Sequence, residues 1–418
     1  MTVTAPSDHP DVAVIGAGAA GLAAARELLA AGLTVTVLEA RDRTGGRAVT
    51  DRAALGLPFD LGASWMHNAE RNPWRAIADA LGFATVEDPR RRHIFVGDRP
   101  APAEEVAAFH AARERTFGAV LAAGYRGEDR SLASVIDVEG PWAPLARAAA
   151  GPWLLGAENE DASAVDFANT VGGEDRFVPR GYGALVTAYG DGLPVRLGTP
   201  ATRVRAGAGG VRVATPAGEV RARAAIVTVP LGVLAAETIR FEPPLPLDAV
   251  RAVGGLPMGL LAKVGLRFRG DPFGLGDTFY LHYRAPTERA VLFVIRPAGL
   301  DLTVGLFGGA VARELEAAGA EAATAFVLEP LLAIFGTALR RRLVASVHTR
   351  WGADPWARGA YAAARPGCAG RRALLSRPVH DRIWFAGEAC AADGWAATVA
   401  GAFLTGRDAA RRVARRLA

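Results

Sequence analysis

At 418 residues, half of them hydrophobic and 22% charged, the chain is long enough for two substantial domains and too apolar for a disordered protein. Its net charge of +5 comes from scattered basic residues; the short runs Arg90–Arg92 and Arg340–Arg342 have no interleaved aromatics, which reads as solvated surface and excludes a nucleic-acid motif. No run reaches the ~18–20 uninterrupted apolar residues of a membrane span, no basic segment precedes Val12–Ile15 as in a signal peptide, and the last stretch, Arg407–Ala418, is basic rather than an anchor.

In chain order, residues 1–10 read as a disordered leader. Val12–Ile15 reads as a buried strand, followed by a glycine turn, an alanine-rich helix to about Ala31 with Gly32 as its C-cap, and a second strand over Thr34–Leu38. The pattern is mostly helical from 72 to about 165 and returns to short strands over 194–229, with Ala224–Val229 strongly β-like. It is β-rich from Ala262 to Val304, including Lys263–Arg269 and Ala290–Ile295, and helical again over 310–340. Ile383–Phe385 is a short strand before Gly387, and a final helix covers about Val399–Leu417. Nucleotide-binding signals sit at both ends. The predicted architecture is therefore α/β: a Rossmann-like dinucleotide domain (11–71, 190–240, 376–418) interleaved with a substrate domain of mixed sheet plus helices (72–189, 241–375).

The sharpest local signal is Gly16-Ala17-Gly18-Ala19-Ala20-Gly21, between a strand and a helix. Gly16 permits the tight turn, Gly18 lets a pyrophosphate approach the backbone, and Gly21 lets helix and strand pack closely, with Ala20 in the same turn. The helix N-terminus favours phosphate charge. Glu39, ending the second strand, is placed to accept from an adenosine ribose. In Glu39-Ala40-Arg41-Asp42-Arg43-Thr44-Gly45-Gly46-Arg47, Gly46 offers an open amide beside the cation of Arg47, which suits the diphosphate of FAD better than a nicotinamide nucleotide. Of the 48 basic residues one is a lysine, Lys263, leaving 47 arginines. A lysine kept at one place only suggests a need for a compact, pKa-sensitive amine. The cysteines, Cys368 and Cys390, form no CxxC pair and no zinc spacing, so a disulfide is not expected and a reduced, cytoplasmic setting fits.

The run Val12–Arg47 resembles the flavin-containing amine oxidase superfamily of monoamine oxidases, polyamine oxidases and lysine-specific histone demethylases. The resemblance continues, in the family's order, through Asp60–His67, Gly173–Gly183, Gly259–Val264, Trp351–Tyr361, Trp384–Glu388 and Ala397–Ala402. It implies an FAD-dependent oxidation of a small-molecule amine, with O2 as the oxidant and H2O2 as a product, in a monomer or homodimer. It places Gly62, Ala63, Ser64, Trp65, Trp351, Trp356, Gly387, Glu388 and Val399 around the flavin, and Val204 at the adenine. It gives Lys263 a water near flavin N5. Tyr361 becomes a wall of the substrate cage, an apolar surface that also offers a π-face to a cation. His67 lines the substrate site.

Two positions depart from the family. Ala360 replaces the cysteine that links FAD in monoamine oxidases, so FAD is expected to be non-covalent. Thr398 replaces a second cage aromatic, and Trp395 is the candidate to supply part of that wall. Glu158, Glu160 and Asp161 read as a solvated loop, with recognition of a second amino group as the alternative. An L-amino acid oxidase would need an arginine clamp, for which Arg71, Arg75 and Arg180 are the candidates. A carotenoid-type desaturase is disfavoured by Lys263. A chromatin-type interaction protein is disfavoured because no coiled-coil insert or extra N-terminal module is seen.

Overall fold

The computed structural model describes residues 5–170 and 172–418. Its first layer is a five-stranded parallel sheet in the order Val195–Arg196, Val35–Leu38, Val12–Ile15, Ala224–Val227, Ile383–Phe385. The central strands are wholly buried, as continuous apolar runs in a doubly covered parallel sheet must be. Helix Ala19–Ala30 and the C-terminal helix Val399–Leu417 cover one face, joining Leu22, Leu28, Phe403 and Val413 in one core. The other face packs on a four-stranded sheet, Gly218–Ala222, Gly210–Thr215, Arg203–Gly207 and Arg240–Glu242, and on helix Leu247–Gly255.

A second, seven-stranded sheet runs Leu343–His348, Leu261–Phe268, Thr303–Gly308, Leu292–Ile295, Phe279–Tyr283, Arg91–Val96, Arg99–Pro100. Its pairs are antiparallel except Phe279–Tyr283 with Arg91–Val96. Helices Gly309–Ala318 and Ala320–Phe335 pack on this sheet's apolar core. Together the layers give the α/β architecture with a mixed-sheet partner that the sequence implied. Among the described residues, no helix is long and apolar enough to cross a membrane.

Three expectations change. The stretch from 72 to 165 also holds strands Val86–Glu87, Arg91–Val96 and Arg99–Pro100; the exposed arginines at the start of Arg91–Val96 masked its buried Ile94 and Phe95. The leader is ordered from residue 5: the Ser7 N–H donates to Thr36 Oγ1 at 2.9 Å, and the Arg221 N–H donates to Asp8 O at 2.8 Å. Residues 1–4 lie outside the described residues. Finally, Trp74 of helix Pro73–Ala80 and Leu185 of helix Tyr182–Tyr189 pack in the same core as Leu22 and Phe403. The packing therefore crosses the divisions drawn at residues 71/72 and 189/190.

Candidate active site

One cavity of about 440 Å³ runs from the glycine turn to Lys263. At its first end Gly16 has φ +105°, and a β-carbon there would lie 2.6 Å from Thr228 Oγ1. Gly21 does not face the cavity; a β-carbon there would lie 1.9 Å from Gly16 O, so its role is the close packing of turn and helix. Gly18 and Ala20 line the cavity, and no side chain caps the helix start at Gly18. The first helical N–H groups are therefore available to an anion, and the helix dipole favours it.

Glu39 is buried beside this turn and lines the cavity. Its Oε2 accepts from the Ala17 N–H at 2.7 Å and its Oε1 from the Arg41 N–H at 2.9 Å. The carboxylate thus braces the phosphate turn, and the remaining lone pairs are what it can offer a ribose. Ala40, Arg41, Gly46 and Arg47 also line the cavity. The two arginines are less free than the sequence suggested. Arg41 donates to both carboxylate oxygens of Asp354 at 2.8 and 2.9 Å. Arg47 donates to Ala360 O at 2.8 Å and to Glu388 Oε1 at 3.0 Å.

Farther along, the wall carries Trp351, Trp356, Ala360 and Tyr361, with Gly62 packed beside Trp351 and Ala63 next to it in the chain. The Trp351 indole donates to Leu61 O at 2.9 Å, and the Tyr361 hydroxyl donates to Leu154 O at 3.0 Å, so both rings are fixed. Burial holds the Tyr361 hydroxyl above the usual phenol range, with Glu388 adding to the effect. Gly387, Glu388, Thr398 and Val399 close this part. Thr398 is the N-cap of the C-terminal helix: its Oγ1 accepts from the Gly401 N–H at 2.9 Å. The helix therefore starts at the cavity and turns its positive end inward.

Beneath this wall lies a pair the sequence did not reveal. Arg372 and Asp166 are both almost fully buried and joined at 2.7 and 2.9 Å. Arg372 also donates to Ala362 O at 2.7 Å, and Asp166 accepts from the Ala364 N–H at 2.7 Å. The pair ties the backbone after Tyr361 to the segment carrying Glu388, whose Ala389 carbonyl also accepts from Arg372.

The far end is a chamber lined by Trp153, Leu261, Leu292 and Leu306, with Ser64, Trp65, His67, Asp175, Tyr280 and Lys263 as its polar and aromatic groups. Lys263 reaches it from strand Leu261–Phe268, second from one edge of the seven-stranded sheet. Its Nζ donates to Asp60 O at 3.1 Å, to Gly62 O and to Ser64 Oγ, and lies 5.7 Å from the Trp65 ring centroid. All three N–H groups of the ammonium thus have protein acceptors, and a water reaches Nζ only by exchange with one of them. Burial lowers the Lys263 pKa from 10.5 to about 8, against the opposing pull of the Asp60 charge. His67 Nδ1 donates to Asp175 Oδ1 at 2.8 Å, and Arg90 donates to Asp175 Oδ2 at 2.7 Å. Burial pushes the Asp175 carboxyl up, but His67 and Arg90 outweigh it and leave the pKa below the usual value. Trp65 donates its indole N–H to Asp88 Oδ2 at 3.1 Å, and the Tyr280 hydroxyl donates to the same oxygen. Asp175 belongs to the segment Gly173–Gly183 that carried the resemblance; no local spacing pointed to Tyr280, Asp88 or Trp153.

Some expected contacts are not made. Val204 is fully buried in a strand paired on both sides and does not line the cavity; Pro200, Ala201 and Ile239 do. Trp395 packs on the core of the parallel sheet, and its carbonyl accepts from the Thr398 hydroxyl at 2.8 Å, so it forms no cage wall. Arg90 is tied to Asp175 rather than merely solvated. Glu158 accepts from the Ala310 N–H at a helix start, and neither it nor Glu160 or Asp161 lines the cavity.

The residues fit an FAD: an uncapped helix start for the diphosphate, the buried carboxylate of Glu39 beside it, an aromatic wall for the tricyclic ring, and a second helix start at Thr398. Comparison with known proteins agrees. Residues 19–121 and 145–414 match the model of the flavin containing amine oxidoreductases. The chain is 32% identical to a lysine-specific histone demethylase 1 homolog 1 of Oryza sativa subsp. japonica, over 98% of this chain and 53% of that protein. It is also 32% identical to a probable polyamine oxidase 4 of Arabidopsis thaliana, over 97% of this chain and 87% of that one. It thus spans about half the length of the demethylase homologue it matches. In fold it resembles a putrescine oxidase redesigned at its cofactor-binding site, with a TM-score of 0.79 at 24% identity over 97% of this chain and 99% of that chain. The chain belongs to the flavin-containing amine oxidoreductase family.

Proposed function

We propose that the protein is an FAD-dependent amine oxidase acting on a small-molecule amine, with dioxygen as the oxidant, in a cytoplasmic setting. The overall reaction would be amine plus water plus O2, giving a carbonyl compound, the released amine or ammonia, and H2O2. The carrying observation is the single cavity that joins a dinucleotide cradle to an apolar aromatic chamber holding the chain's only lysine. When bound, FAD would supply the hydride acceptor.

The chain's own residues would hold and orient. Tyr361, Trp65 and the leucines of the chamber exclude water and leave an apolar slot for the carbon bearing nitrogen. Asp175, held by Arg90 and His67, would present a carboxylate to a cationic amine, and His67 lines the cavity beside it. Lys263 fixes the 60–64 segment against both cofactor and substrate. The reading as an amino acid oxidase loses its clamp: Arg71, Arg75 and Arg180 do not line the cavity, and Arg41 and Arg47 are paired with Asp354 and Glu388. A peroxide-coupled panel of primary amines, secondary amines, diamines, polyamines and amino acids tests the proposal. Peroxide from amines supports it, and peroxide from amino acids alone would replace it with the rival.

A further inference from the structure

Behind the chamber lies a second cavity of about 50 Å³, and Ser64 and Trp65 line both. Phe59, Phe177, Val294, Leu302 and Val304 are part of its wall, and all are buried. Two polar side chains reach it, and both are committed. The Asp60 carboxylate accepts from the Thr50 hydroxyl at 2.6 Å and from the Tyr182 and Gly183 N–H groups at 2.9 and 3.1 Å. The Ser64 hydroxyl accepts from Lys263. A well-held water needs about two to four polar partners, whereas an apolar cavity favours apolar guests such as xenon. The volume exceeds the ~10–15 Å³ that one water-sized molecule requires.

Its outer wall is also built. Pro297, Ala298 and Leu300 line it from the turn joining strands Leu292–Ile295 and Thr303–Gly308. In that turn two non-glycine residues, Arg296 and Ala298, have φ of +49° and +53°, a conformation that costs free energy. Arg296 is tethered by ion pairs to Asp277 and Asp301, which hold the turn over the cavity.

We propose that this cavity is a dioxygen site, an apolar stopping point from which O2 crosses at Ser64 and Trp65 to the Lys263 side of the chamber. O2 is small, apolar and a poor hydrogen-bond acceptor, which matches a wall made mostly of apolar side chains. The proposal rests on dioxygen being the oxidant in the reading above.

The test uses the holoenzyme. Xenon-pressurised crystals should show one xenon between Trp65 and Leu302. Val304→Phe should fill the cavity and displace it. The flavin is then reduced photochemically, without any amine, and its reoxidation by O2 is followed by stopped flow. The second-order rate constant should fall roughly tenfold in Val304→Phe, while anaerobic reduction by an active amine stays within about twofold of wild type. Val294→Leu, a smaller filling, should give an intermediate loss, and xenon overpressure should slow reoxidation in the unmodified enzyme; these two carry the test if Val304→Phe does not fold. Absence of xenon from the cavity, or full reoxidation rates with the cavity filled, would overturn the proposal. If no amine reduces the flavin but filling still slows reoxidation, the dioxygen site stands and the amine reading falls.

Discussion

Lys263→Met keeps an unbranched side chain of similar length and deletes the ammonium. In the native protein that ammonium clamps Asp60 O, Gly62 O and Ser64 Oγ, three groups of the one segment that borders both the cofactor wall and the chamber. A hydrogen bond from a charged donor contributes about 1.5–3 kcal/mol. If one such interaction is lost from the transition state, turnover falls roughly 10- to 150-fold. Because the Lys263 pKa is about 8, the amine changes charge within the working range. The neutral amine has two N–H groups for three acceptors, so the wild-type rate should carry a limb centred near pH 8 that the Met variant lacks. Stability follows the same group. Its folded pKa is depressed from 10.5, so between pH 8 and 10.5 the unfolded chain holds a proton that the folded chain has released. Stability from this group therefore rises with pH across that window, by an amount on the order of 3 kcal/mol, and wild type should gain on Lys263→Met in urea melts between pH 8 and 10. Stopped-flow measurement of amine oxidation and of flavin reoxidation, each across pH, separates the two half-reactions. Wild-type rates and an unchanged limb in both would refute the reasoning.

Gly18→Val should fold but lose FAD, because φ of −80° suits valine and the added side chain projects into the phosphate turn; full flavin content after purification would contradict this. Acid precipitation should release all flavin into the supernatant, since Ala360 offers no nucleophile, and flavin in the pellet would show a link. Tyr361→Ala should raise KM for amines more than it lowers FAD occupancy, and lost flavin with unchanged KM would make Tyr361 a cofactor residue. Arg372→Met leaves Asp166 buried without its partner and should destabilise by about 3–5 kcal/mol in denaturant melts; a loss under 1 kcal/mol would show that the pair does not brace the wall.

The parts legible in the sequence are those encoded by neighbours in the chain. The turn Gly16–Gly18 joins a strand to a helix whose first turn holds Gly21, and Thr398 caps another helix, because glycine conformation and N-capping act within a few residues. Lys263 stood out by its rarity. The rest depends on contacts across long stretches of chain. Asp166 and Arg372 are 206 residues apart, and no periodicity links them. Glu39 was read toward a ribose, whereas its nearest partners are two backbone amides. Trp395 is by its type a candidate for part of the cage wall, but its ring packs against the core of the parallel sheet, a long-range contact that no local pattern shows. Strand Arg91–Val96 was hidden because its charged end faces solvent at the sheet's margin while only Ile94 and Phe95 are buried.

The central claim is that the aromatic chamber delivers an amine to a flavin held by the glycine turn. Its most direct test is anaerobic titration of the purified holoenzyme with the amine that gives peroxide, followed by absorbance. The account predicts that the flavin bands bleach stoichiometrically with amine and return on admission of O2 with one H2O2 per flavin. Flavin bands unmoved by every amine, while another substrate class bleaches them, would contradict it.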